Sequence, residues 1–200
     1  VHEKKEQDAL VAAKVARARE LCGGKPLVPR AVSEPLHLSV ESGSESCIGK
    51  RKTNEDSLVA VDDYRSAAVS SAAQLSFYGI YDGHGGSLVA SKCAERVHPM
   101  LLEHPAFPYD AELVFTDVFA RADAAVTSAA DKSGSTALCC ALLGSTLYVG
   151  NIGDSECVLG WRAGGRDSYH AALLSHKHNP SDPDEKRRIA ELGGTVVFGR

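Results

Sequence analysis

The run Phe77-Tyr78-Gly79-Ile80-Tyr81-Asp82-Gly83-His84-Gly85-Gly86 places an acid, an imidazole and several glycines at the end of an apolar stretch. A strand ending this way delivers the Asp82 carboxylate to an edge where a hard divalent cation finds oxygen ligands. Gly83 lets the backbone turn sharply, so that its carbonyl can face the same ion. His84 is of the type that donates a proton near neutral pH. Taken alone, the segment reads first as an Asp-Gly hairpin turn with an incidental histidine. A second segment, Gly49-Lys50-Arg51-Lys52-Thr53-Asn54-Glu55-Asp56, sets two adjacent carboxylates after a basic cluster. The rigid fork of Arg51 suits a phosphate dianion, and Glu55 and Asp56 could serve as ligands to a metal or to its water. By itself this is also an ordinary solvated charged loop.

In Tyr148-Val149-Gly150-Asn151-Ile152-Gly153-Asp154-Ser155 an apolar run again ends in an aspartate beside glycine, which is equally the composition of a strand-to-strand turn. Ser133-Gly134-Ser135-Thr136-Ala137 supplies small residues that let a strand start in a crowded place, and reads as tight packing. His176-Lys177-His178 has no nearby cysteine or acidic partner in sequence and reads as a polar loop rather than a metal site.

Several elements must carry these groups. A one-sided stripe of Leu10, Val11, Lys14, Ala18 and Leu21, stopped by Gly23-Gly24, predicts a helix over about 3–22. Pro26, Pro29 and Pro35 punctuate the next segment, so residues 1–35 form an N-terminal helical extension and linker, and 36–200 the main domain. Alternation predicts strands at 36–40 and 57–61, with a loop of small polar residues at 66–74. The near-continuous apolar run 75–81 predicts a buried strand. Helices are expected over 87–102 and about 110–130, the second with Leu113, Val114, Val118, Phe119, Ala122 and Val126 on one side. Strands are predicted at 135–143, 146–152, 156–161 and 169–174. Asp182-Pro183-Asp184-Glu185 then opens a helix as N-cap, first position and closing residue of a capping box, and Gly193-Gly194 ends it. Strands, then consecutive helices, then strands argue for an α+β layered domain.

Composition narrows the function. With 22 basic against 26 acidic residues, nothing in the charge favours nucleic acid or an anionic membrane. No apolar run approaches the ~20 residues of a membrane span. Cys22, Cys47, Cys93, Cys139, Cys140 and Cys157 lack zinc spacing and read as buried free thiols of a reducing compartment. A cytoplasmic or nuclear location is the corresponding expectation; separately, the chain is expected to be a monomer. On a strand, Cys139 and Cys140 would face opposite ways.

Jointly, the order and spacing of these motifs resemble the metal-dependent protein serine/threonine phosphatases of the type 2C family. The resemblance runs over about 36–200 and rests on Arg51 with Glu55-Asp56, the Asp82–Gly86 block, Ser133–Ala137, Gly153-Asp154-Ser155, and His176-Lys177 leading to Glu185-Lys186-Arg187-Arg188-Ile189 and Gly193-Gly194. It implies an antiparallel β-sandwich flanked by helices in four layers, α-β-β-α. It implies two magnesium or manganese ions, with a third, weaker one at Asp154. Asp82 would bridge the two ions, Glu55 would bind one, and Gly83 would give its carbonyl. Asp56 would hold metal-bound water, Arg51 would grip the phosphate, and His84 would protonate the leaving serine or threonine oxygen. The implied partners are phosphoprotein substrates.

The family's catalytic domain continues beyond Gly193-Gly194 into a segment with further metal-binding aspartates. The 200 residues are therefore expected to form an incomplete domain that alone is inactive and binds manganese weakly. Ser175 stands where an aspartate commonly precedes His176, and Glu156 where an arginine is common. A catalytically inactive phosphatase-like binding module is the alternative. Retention of Arg51, Glu55, Asp56, Asp82 and His84 favours an enzyme, because a module that only binds has no need of all of them.

Overall fold

The computed structural model describes residues 38–66, 74–127, 132–162 and 168–197. The helix expected over 3–22, the 1–35 extension and most of the 66–74 loop lie outside the described residues. The chain order is β1 (Ser57–Val61), β2 (Leu75–Tyr81), β3 (Gly83–His84), α1 (Leu88–Leu102), α2 (Ala111–Thr127) and β4 (Gly134–Ser135). Then come β5 (Ala137–Leu143), β6 (Thr146–Ile152), β7 (Val158–Arg162), β8 (Tyr169–Leu173) and α3 (Pro183–Glu191). Strands β1-β2-β5-β6 make a four-stranded antiparallel sheet, with β3-β4 and β7-β8 as two short ladders. This is the expected α+β class, with antiparallel sheets and helices packed against them.

One face of the main sheet is closed by α1 and α2. Phe77 and Tyr81 of β2, Cys139 and Ala141 of β5, Val97 and Leu101 of α1, and Val114 and Val118 of α2 are fully buried in one cluster. Burying each large apolar side chain there is worth roughly 1.5–3 kcal/mol. Cys139 turns into this core and Cys140 turns away from it, as strand alternation requires. The last strand of the sheet joins the same core through Tyr148, whose ring meets Phe107 edge-on at 5.3 Å. The core thus anchors the C-terminal end of β2 and both ends of β5, which are the points from which the candidate site is built.

Several boundaries differ from the sequence-based expectation. Residues 38–40 of the strand expected at 36–40 form no ladder, and Leu38 is exposed. Their alternation suits a strand, but a strand also needs a neighbour for its backbone N–H and C=O groups, and among the described residues none is paired with them. The strand expected over 135–143 is broken at Thr136, which separates β4 from β5. Asp182 caps α3 as expected, accepting from the Asp184 N–H at 2.8 Å and the Glu185 N–H at 3.4 Å. Glu185 does not close a capping box: its carboxylate pairs with Arg188 at 2.7 Å, one turn along the helix, and the Asp182 N–H donates to the Asn179 carbonyl instead. Among the described residues no helix is long and apolar enough to cross a membrane.

Candidate functional site

Asp82 lies between the end of the buried strand β2 and the two-residue strand β3. Its backbone is held twice by one residue of the neighbouring chain segment. The Asp82 N–H donates to Thr136 Oγ1 at 3.0 Å, and its carbonyl accepts from the Thr136 N–H at 2.9 Å. The chain therefore runs on from Asp82 into a ladder with β4, not into an Asp-Gly hairpin turn. Close packing sets the next residues. A β-carbon on Gly83 would strike the Glu55 carbonyl oxygen, and one on Gly134 would strike the His84 ring. Glycine at these two positions is what lets the 55–56 segment, the β2 end and β4 close on one another.

The electrostatics place the charged groups. The Asp82 carboxyl is held above the ordinary range, first by burial, then by the negative charges of Asp56 and Asp154; Arg51 opposes the shift. Acids from three separate stretches of sequence thus share one small region with one guanidinium. Their local supports are short-range. The Asp56 N–H donates to Asn54 Oδ1 at 3.1 Å, and Asn54 Nδ2 donates to Ser46 Oγ at 2.7 Å. The Arg51 N–H donates to the Ile48 carbonyl at 3.2 Å. Arg51, Asp56, Asp82, His84 and Asp154 are all exposed, on the open side of this junction.

The Asp154 turn is buttressed by the segment after β8. Asn151 Nδ2 donates to the Gly153 and His176 carbonyls at 3.2 and 2.7 Å. The His178 N–H donates to the Gly153 carbonyl at 2.8 Å. His176-Lys177-His178 therefore acts as a polar brace. The two unusual residues have local partners: Ser175 Oγ accepts from the Cys157 N–H at 2.8 Å, and Glu156 pairs with Lys177 at 3.2 Å.

The Glu55 carbonyl oxygen packs directly against Gly83, next to Asp82. Among the described residues, no three His, Cys, Asp or Glu side chains converge closely enough to hold an ion. The donor chemistry nevertheless fits one. Carboxylates with a nearby backbone carbonyl are hard oxygen ligands suited to magnesium or manganese. Burial, and after it the charges of Asp56 and Asp154, raise the Asp82 carboxyl; a divalent cation there would offset both effects.

Thr136 is the residue of this junction that the sequence does not single out. Besides holding Asp82, its hydroxyl lies 2.9 Å from Ser155 Oγ. It joins the Asp82 strand end to the Asp154 turn. Its segment reads in sequence as small residues for tight packing. The one signal was a hydroxyl at the place where the strand pattern could be interrupted.

The family model for protein phosphatase 2C matches residues 40–200. Protein spalten of Dictyostelium discoideum is 38% identical over 174 residues, covering 82% of this chain and 18% of that protein. Probable protein phosphatase 2C 56 of Oryza sativa subsp. japonica is 39% identical over 129 residues, covering 62% of this chain and 35% of that protein. The chain thus spans under half the length of these relatives. Among solved structures, a serine-threonine phosphatase 2C from Toxoplasma gondii shares the fold with a TM-score of 0.59 at 22% identity, over 76% of this chain and 54% of that one. A C. elegans sex determining protein does so with a TM-score of 0.58 at 24% identity, over 76% and 38%. With the family model matching residues 40–200 of the 200, the chain belongs to the protein phosphatase 2C family.

Proposed function

We propose that the protein containing this chain hydrolyses phosphoserine and phosphothreonine in proteins, and that the junction around Asp82 is where the phosphate is attacked. The observation that supports it most is that the charges of Asp56, Asp154 and Arg51 all act on the Asp82 carboxyl in a chain of this family. Asp82, Glu55, Asp154 and the Gly83 carbonyl would hold magnesium or manganese, two ions with a weaker third near Asp154. When bound, such ions supply positive charge to the phosphoryl oxygens and lower the pKa of water. The chain's own groups do the rest. Arg51 binds the phosphate dianion through its fork. Asp56 orients the attacking water. His84 gives its proton to the leaving serine or threonine oxygen as the P–O bond breaks. Water adds to phosphorus, and the products are the free hydroxyl and inorganic phosphate.

The test uses the intact protein with a phosphopeptide, an aryl phosphate and an alkyl phosphate. Asp82→Asn is expected to abolish turnover while circular dichroism stays unchanged. Arg51→Ala is expected mainly to raise KM. His84→Gln is expected to lower kcat by about 10²–10⁴-fold for the alkyl ester, and far less for the aryl ester with its better leaving group. Near-normal turnover in Asp82→Asn, or equal losses for both esters in His84→Gln, would contradict the assigned roles.

A further inference from the structure

Of the five described cysteines, all free, two meet across separate elements. Cys140 Sγ on β5 lies 3.7 Å from Cys157 Sγ in the link between β6 and β7. Both residues are half-buried. Their backbones are fixed independently. Cys140 sits inside the main sheet, paired with Tyr78 on one side and Val149 on the other. The Cys157 N–H donates to Ser175 Oγ, and its carbonyl accepts from the Leu174 N–H, each at 2.8 Å. The proximity is therefore a property of the fold and not of a free loop. The buried Cys139 faces the other side of the sheet, where its sulfur meets the Tyr81 hydroxyl at 3.6 Å, and Cys47 is exposed.

We infer that Cys140 and Cys157 form a reversible intrachain disulfide when the protein meets a hydroperoxide. The sulfurs are in van der Waals contact, and bonding needs them to close to about 2.05 Å, a movement on the scale of side-chain rotation. The chemistry has two steps. The Cys157 thiolate attacks the peroxide, the O–O bond breaks, and a sulfenic acid and hydroxide result. The Cys140 thiolate then attacks the sulfenic sulfur and expels a second hydroxide. In sum, two thiols and one hydrogen peroxide give one disulfide and two waters. Burial and the neighbouring Cys157 push the Cys140 thiol up to about 12, which keeps its thiolate scarce; the 3.7 Å proximity of the two sulfurs makes the second step intramolecular and offsets that scarcity. The bond would tie the link that carries Asp154 and Ser155 to the central sheet, next to the Thr136 junction. A dithiol would release it by exchange.

Peptide mapping of the intact folded protein tests this. The protein is treated with hydrogen peroxide, alkylated and digested without reduction, and fragmentation between residues 139 and 140 separates the adjacent thiols. The expected product is a Cys140–Cys157 cross-linked peptide, two hydrogens lighter than the sum of its two reduced peptides and resolved into them by dithiothreitol. The product should be absent in Cys157→Ser and in Cys140→Ser, and retained in Cys47→Ser. In urea the same treatment should give mixed pairings. The inference is overturned if both thiols alkylate freely after peroxide has oxidised Cys47. It is equally overturned if Cys157 pairs with Cys139, or if it proceeds to sulfinic acid beside a free Cys140. None of these readouts depends on phosphatase activity.

Discussion

The helix-covered part of the sheet and the hairpin that comes after it are built from similar strand-forming residues but live in different surroundings. Strand β2 buries Leu75, Phe77 and Tyr81 almost completely. The whole of β7 is exposed, and nearly all of β8, with Val158 at 59% and Tyr169 at 73%. Helix α3 buries no residue at all among those described. The comparison teaches that the groups of the candidate site are supported in two different ways. The packed part fixes where Asp82 stands. The open part carries Asp154, its brace and the Cys157 link, held chiefly by hydrogen bonds. Removing a side chain in the first region leaves a cavity, whereas in the second it leaves a change in solvation.

Mutational stability measurements sharpen this contrast most strongly. In the intact protein, Phe77→Ala should cost about 3–5 kcal/mol by denaturant unfolding, as a large aromatic lost from a closed core. Val158→Ala should stay within about 0.5 kcal/mol. A similar loss for both would show that the hairpin belongs to the same packed unit and would break the comparison.

The seam between the two regions is next in size. Thr136→Val keeps the shape but removes the hydroxyl that serves the Asp82 N–H and Ser155. We expect a loss of about 1–2 kcal/mol from the unpaired groups, weaker manganese binding by calorimetry, and recovery of both by Thr136→Ser. Loss of stability with manganese affinity unchanged would show that Thr136 is only structural.

The smallest expected effect lies inside the packed part. His104 is buried; its Nδ1 accepts from the Ala106 N–H at 3.1 Å and its Nε2 faces Asp117 at 3.3 Å. Burial lowers its pKa below the ordinary value of 6.5, outweighing the attraction of Asp117, and adding a proton at Nδ1 would break the bond from Ala106. With the folded value depressed, the unfolded chain binds more protons as pH falls below about 6.5. The stabilising contribution is thus complete above about pH 6.5 and lost on acidification through the folded pKa. Urea midpoints measured between about pH 7.5 and 5 should fall, and less steeply in His104→Gln. An unchanged slope in that variant would remove His104 from the account.

Much of this molecule was legible in the chain because it depends on neighbours in sequence. The apolar run 75–81 could only be a buried strand. The stripe of Leu113, Val114 and Val118 required a covered helix face. Asp182 followed by Pro183 announced an N-cap that the structure bears out. The motif residues Arg51, Asp56, Asp82 and Asp154 were each visible as strand-end or loop groups, and their order was enough to mark the family. Their meeting was not visible residue by residue, because Asp56 and Asp154 lie far apart in sequence and come together only when β1, β2, β5 and β6 are laid side by side. The same limit explains the strand expected at 36–40, since alternation supplies faces but not a partner. It also explains Glu185, which found Arg188 a turn away instead of the backbone behind it. Thr136 shows it best. A single hydroxyl in a run of small residues carries no pattern of its own, and only the tertiary structure, by bringing Asp82 and Ser155 within hydrogen-bond reach of that one oxygen, made it the joint of the site.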